Sequence, residues 1–86
     1  MLDSGSKEVD IIMPRLDPEM KEGRIVEWLK KEGDSVRKGE IIARIETEKT
    51  IAEMEAPDSG VLSKILAKEG ELVPVGSKIA IIMKTG

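Results

Sequence analysis

The chain has 86 residues, 40% of them hydrophobic, a net charge of −3, Trp28 as its sole aromatic, and neither cysteine nor histidine. That length fits one domain with an aliphatic core, and the missing residue types exclude disulfide staples, thiol nucleophiles, the usual zinc ligand sets and histidine acid/base chemistry. Interspersed charges and a single aromatic leave no platform for nucleic acid, and the short apolar runs can neither span a bilayer nor form a signal-peptide core, so the protein reads as soluble with no membrane partner.

Residues 1–7, with the stretch Asp3-Ser4-Gly5-Ser6, read as a small polar lead-in, and the domain as residues 8–85. A first strand is expected near 9–13, ending at Pro14, and a loop covers 15–22. Strands are then expected near 24–29, 35–37, 41–46, 50–55, 61–66, 72–73 and 78–83. Turn signals separate them at Gly33-Asp34, Gly39, Pro57-Asp58-Ser59-Gly60, Gly70 and residues 74–76. One stretch reads two ways, because 40–56 contains no breaker and Ile41, Ile42, Ile45 and Ala52 would also line one helical face.

An internal repeat arbitrates. Residues 23–45 align without a gap onto 60–82 at an offset of 37, with ten of 23 columns identical, among them Gly23/Gly60, Gly33/Gly70, Gly39/Gly76 and Ile45/Ile82. Chance would give roughly one or two. The segment matching 41–46 is 78–83, which runs straight into the chain end and is too short for a stable helix. Two copies are too few for a solenoid, so the repeat predicts one all-β domain, a sandwich or barrel of short strands with a pseudo-twofold axis, each half completing the other's core. The first copy carries a longer loop, about 15–22, which is either a recognition feature or a tolerated surface insertion.

Ten lysines are present, and a surface lysine is ordinarily only a solvated charge. Lys49 is set apart by position. It lies between the copies, at the expected corner of a hairpin, and its counterpart in the second copy would fall on Gly86, the last residue. Glu46, Glu48, Glu53 and Glu55 flank it, as a polar strand face that resists edge pairing or as recognition groups, the latter favoured for Glu48.

The run Glu46-Thr47-Glu48-Lys49-Thr50 resembles the lipoyl-attachment domains of 2-oxo acid dehydrogenase complexes, as do Gly33 and Gly60 at their distances from the lysine, Lys31-Glu32-Gly33-Asp34-Ser35-Val36 and Glu55-Ala56-Pro57-Asp58-Ser59-Gly60. The resemblance covers nearly everything from residue 9 to 84. It departs at Glu48, where Asp is commoner, and at Thr50, where Ala or Val is usual. It implies a flattened barrel of two small antiparallel sheets of about four short strands each, with lipoate joined to Lys49 as an amide and Glu46, Thr47, Glu48 and Thr50 forming the recognition turn. No catalytic residue and no metal are implied. The domain would be a swinging-arm carrier belonging to a dihydrolipoamide acyltransferase.

Implied partners are a lipoate ligase or octanoyltransferase, a thiamin-diphosphate-dependent 2-oxo acid decarboxylase, the acyltransferase core and dihydrolipoamide dehydrogenase, in bacterial cytoplasm or mitochondrial matrix. The isolated domain is expected to be a monomer. The loop Met13-Pro14-Arg15-Leu16-Asp17-Pro18-Glu19-Met20 looks like the pyruvate or acetoin type, with Asp17 and Glu19 in place of small hydroxyl residues, and the resemblance assigns decarboxylase recognition to Leu16, Asp17, Glu19 and Met20. Two other functions fit the same pattern. Biotin carriers share the fold, but their lysine normally sits between methionines, and an unmodified assembly module would tolerate Lys49→Arg. An enzyme does not fit, for want of a nucleophile–base pair or a phosphate-binding glycine loop.

Overall fold

The computed structural model describes residues 6–85. Its elements are β1 (Ser6–Ile12), β2 (Glu22–Trp28), β3 (Ser35–Val36), β4 (Ile41–Glu46), β5 (Ile51–Glu55), β6 (Gly60–Ile65), β7 (Leu72–Pro74) and β8 (Lys78–Thr85). Antiparallel pairing gives two four-stranded sheets, ordered β1-β8-β6-β3 and β5-β4-β2-β7. The expected all-β class and strand number therefore hold. Residues 40–56 are not helical: β4 and β5 pair from Ile41↔Glu55 to Glu46↔Ile51.

The lead-in is shorter than expected. Ser6 and Lys7 pair with Thr85 and Lys84, because β8 runs on far enough to satisfy their backbone groups. Residues 1–5 lie outside the described residues.

The offset of 37 carries β2, β3 and β4 onto β6, β7 and β8, and one sheet onto the other. The equivalence extends to single bonds. Leu29 N–H donates to the Ile42 carbonyl and Leu66 N–H to the Ile79 carbonyl, both at 2.8 Å. Gly33 N–H donates to the Leu62 carbonyl at 2.7 Å, and Gly70 N–H to that of Ile25 at 2.6 Å. Both glycines hold left-handed φ values, 95° and 89°, which a side chain would strain.

Each sheet takes strands from both halves, so β1 and β3 flank β8–β6 while β5 and β7 flank β4–β2. The core between the sheets is aliphatic, with Ile25, Ile42 and Ile45 facing their counterparts' set Leu62, Ile79 and Ile82, all fully buried. Burying one such side chain contributes about 1.5–3 kcal/mol. Trp28 packs at the margin, its indole N–H donating to the Ala67 carbonyl at 2.8 Å.

Two surface ion pairs hold turns in place, Lys30–Glu40 between two connections and Asp58–Lys84 between a turn and β8. Lys30 Nζ lies 2.8 Å from Glu40, which raises the lysine above its ordinary pKa and holds the carboxyl below its own, helped by the Arg37 N–H. Lys84 Nζ lies 3.0 Å from Asp58, and that contact, with the Ser59 N–H, lowers the Asp58 pKa.

The fold also has polarity. β1 starts where Ser6 meets Thr85 and ends at Ile12, beyond which the chain enters the loop beside Lys49. Its seven residues separate the two ends by roughly 20 Å at about 3.3 Å per residue.

Candidate functional site

Glu48 and Lys49 form the tip of the hairpin joining β4 to β5, and that hairpin also joins the two halves of the repeat. The flanking residues do the shaping. Thr47 N–H donates to the Thr50 carbonyl at 2.8 Å, continuing the ladder one step past the strands. The Thr47 hydroxyl donates to the same carbonyl at 3.1 Å and accepts the N–H groups of Lys49 and Thr50, each at 3.2 Å. No non-glycine residue among those described has a positive φ, so this two-residue tip is not of the primed type that ordinarily suits strand twist.

Lys49 projects from this corner with its side chain 63% exposed. Its nearest ionic partner is Glu19, whose carboxylate lies 3.6 Å from Nζ and is itself 82% exposed. Solvent screens such a pair heavily, and the amine stays accessible. Glu48 and Thr50 are exposed beside it.

The neighbouring acids divide. Glu46 lies 3.7 Å from Arg24, and Arg44 lies 2.7 Å from Glu27 and 3.9 Å from Glu53, so Glu46 and Glu53 belong to an alternating-charge face across β2, β4 and β5. Glu48 has no ion-pair partner among the described residues, and Glu55 is exposed on the edge strand.

The longer loop of the first copy folds over this end. It and the hairpin tip border an open groove of about 650 Å³, lined by Asp17, Pro18 and Glu19 on one side and Thr47, Glu48 and Lys49 on the other. The loop is built rather than slack. The Asp17 carboxylate accepts the Glu19 N–H at 2.9 Å, the Met20 N–H reaches the Asp17 carbonyl at 3.1 Å, and the Arg15 guanidinium donates to the Met20 carbonyl at 2.6 Å.

Of the four loop residues singled out from sequence, Leu16 and Glu19 are exposed and Asp17 is half-buried. Met20 is different: it is 5% exposed, and its sulfur accepts the Leu16 N–H at 3.2 Å. Its side chain is drawn inward because Gly23 leaves a gap that Met20 and Met13 fill. Sequence reasoning missed two further contributors. Arg15 carried no local signal, since its role depends on a carbonyl five residues away. The closeness of Glu19 to Lys49 depends on tertiary folding alone.

An exposed primary amine on a braced hairpin, beside a groove walled by a one-sided loop, can be acylated by an enzyme that grips the corner. Comparison with known proteins agrees with that geometry. The biotin/lipoyl-attachment family, described as "Biotin-requiring enzyme", matches residues 9–82. The chain is 48% identical over 79 residues to the dihydrolipoyllysine-residue acetyltransferase component of pyruvate dehydrogenase complex of Rickettsia bellii, covering 91% of this chain and 19% of that protein. It is 47% identical over 79 residues to the pyruvate dehydrogenase E1 component subunit beta of Rhizobium meliloti, covering 91% of this chain and 17% of that one. The chain thus spans about a fifth of the length of these curated relatives. Among solved structures, the solution structure of the lipoyl domain of the 2-oxoglutarate dehydrogenase complex from Azotobacter vinelandii superposes with a TM-score of 0.74 at 32% identity, covering 91% of this chain and 99% of that one. With a match along nearly its whole length and a solved relative of its own size, the chain belongs to the biotin/lipoyl-attachment family, among its lipoyl domains.

Proposed function

We propose that Lys49 is the site of covalent lipoylation and that the domain is the mobile carrier of a 2-oxo acid dehydrogenase complex of the pyruvate type, passing acyl groups and reducing equivalents between active sites. The observation that carries this reading is the position of Lys49: a solvent-exposed amine at the tip of the hairpin where the two halves meet. The site suits the group, because Nζ is open to an enzyme and the adjoining groove leaves room for an arm to lie along. When bound, lipoate supplies the dithiolane that a cysteine-free chain lacks.

The chain's own residues present, orient and tether. Amide formation removes the Lys49 ammonium and with it the attraction to Glu19. Thr47 and Thr50 brace the corner, Glu48 offers an uncommitted carboxylate beside the lysine, and Leu16, Asp17 and Glu19 form the wall that a 2-oxo acid decarboxylase meets. Tethering raises the local concentration of the arm at each active site to about the millimolar range. In this role the partners are a lipoate ligase or octanoyltransferase, the thiamin-diphosphate-dependent decarboxylase, the acyltransferase core and dihydrolipoamide dehydrogenase, in bacterial cytoplasm or mitochondrial matrix. Catalysis resides in those enzymes, and the relatives carry such a domain on either an acetyltransferase or an E1 subunit.

The test is intact mass after incubation with lipoate, ATP and a lipoate ligase. One lipoyl increment is expected on the wild-type domain and none on Lys49→Arg. A biotin-sized increment from a biotin ligase in its place, or a lipoyl increment that survives Lys49→Arg, overturns the reading. Reductive acylation with pyruvate should then exceed that with 2-oxoglutarate when each matching decarboxylase is supplied.

A further inference from the structure

The geometry points to Thr47 as the positioning residue for modification of Lys49: its hydroxyl, standing in for the second backbone bond of the turn, holds the hairpin tip in the form an acylating enzyme reads. The inference rests on the assignment of Lys49 as the modified amine and adds how that amine is aimed.

Two residues joining antiparallel strands normally close with reciprocal backbone bonds in a primed turn, which needs positive φ. Here Glu48 and Lys49 keep negative φ. One closing bond is present, from Thr47 N–H to the Thr50 carbonyl at 2.8 Å. In the other direction, Thr50 N–H reaches the Thr47 hydroxyl at 3.2 Å, and Lys49 N–H shares that oxygen at 3.2 Å. The hydroxyl's single proton goes to the Thr50 carbonyl at 3.1 Å. A hydroxyl offers one donor and two lone pairs, and all three are used within the turn. The backbone N–H of Lys49 itself is therefore bonded to the Thr47 side chain, and the direction in which the lysine leaves the corner follows from it.

The arrangement also separates Thr47 from its neighbours. Thr47 is half-buried while Glu48, Lys49 and Thr50 are exposed. A residue whose polar atom is spent inside the turn acts through Lys49 and need not touch the enzyme. Glu48 and Thr50, whose side chains face outward, remain available for contact.

The experiment compares wild type, Thr47→Val and Thr47→Ser as substrates of lipoate ligase, with kcat and KM for the domain determined separately. Valine keeps the shape and β preference of threonine without the hydroxyl, and serine keeps the hydroxyl. The expected result is a fall in kcat of about tenfold for Thr47→Val from lost orientation, with KM little changed and Thr47→Ser near wild type. The heteronuclear NOE of the Glu48 and Lys49 amides should drop in Thr47→Val alone. Acetylation of Lys49 by a small activated ester should be equal in all three, since exposure of the amine does not change. A wild-type kcat in Thr47→Val, an equal loss in Thr47→Ser, or an effect confined to KM overturns the assignment, the last by making Thr47 a contact for the enzyme. A wild-type domain left unmodified sinks the carrier reading together with this one, whereas a domain modified equally well with and without the hydroxyl sinks only this one.

Discussion

A methyl group added at Gly23 would stand 2.8 Å from Ile45 Cγ2, 2.9 Å from Met13 Sδ and 3.0 Å from Met20 Cε. At the equivalent Gly60 it would meet the backbone carbonyl of Met83 and, at 2.8 Å, Ile82 Cγ2. The two sites are related by the repeat but differ in what can yield. Thioether ends shift at small cost, whereas strand backbone does not. Gly23→Ala is therefore expected to cost about 1–3 kcal/mol and Gly60→Ala more, as urea-unfolding midpoints would show. The Gly23 variant should also disturb the loop beside Lys49, visible as chemical-shift changes at Asp17 and Glu19, because Met20 is the anchor it displaces. A cost at Gly60 equal to or smaller than that at Gly23 would contradict the packing described. In the sequence Gly23 was legible only as the repeat partner of Gly60 ahead of the strand expected at 24–29; the side chains that approach it are set by the pairing of β2 with β4.

At the scale of elements, strand identity was readable and strand detail was not. The run Ile41-Ile42-Ala43 breaks the alternation of a strand, and with no breaker in 40–56 the residues Ile41, Ile42, Ile45 and Ala52 also read as one helical face. The structure gives the reason: pairing of β4 with β5 skips Ile42, and pairing of β1 with β8 skips the equivalent Ile79. Similar slips fall at Val26 and Ser63, where β2 meets β4 and β6 meets β8. The bulges at Ile42 and Ile79 place consecutive apolar residues inward, so Ile42 and Ala43 are both buried, as are Ile79 and Ala80. Lys49 was legible because the repeat defines the junction between copies without reference to any strand's inner pattern. Met20 was not, since the gap it fills exists only once β2 and β4 are paired.

The two ion pairs that hold turns in place set a pH dependence at this same scale. Asp58 and Glu40 have folded pKa values below their ordinary ones. Their stabilisation is complete above the ordinary carboxylate range and is lost as pH falls through the lowered values. Lys30 has a raised value, so its share is complete below the ordinary lysine range and is lost as pH climbs through the raised one. Stability should thus decline at both extremes. Asp58→Asn should flatten part of the acid limb of a thermal-midpoint profile and leave the alkaline limb as it was. An unchanged acid limb would remove the Asp58–Lys84 contact as a contributor.

For the whole molecule, the exchange of edge strands means that neither half owns a sheet. A fragment ending at residue 49 would hold β4–β2 without β5 and β7, and β1 and β3 without the strands they flank. Such a fragment is expected to be unfolded alone, with coil-like circular dichroism and collapsed amide dispersion. Mixing it with the complementary fragment should restore dispersion, and a folded first fragment would show that the halves are autonomous. The full chain should unfold in one cooperative step, with fluorescence of Trp28 and far-ultraviolet dichroism reporting the same midpoint.

The covalent link between the halves is the very corner that carries Lys49. Were residues 47–50 to run straight, each half would still find its complement, but on a second chain, because interleaved sheets do not distinguish which molecule supplies an edge. Such a reciprocal dimer would keep its core and lose both of the tight corners on which the lysines stand. Closure of a chain upon itself and display of its lysine at a tight corner are thus one event.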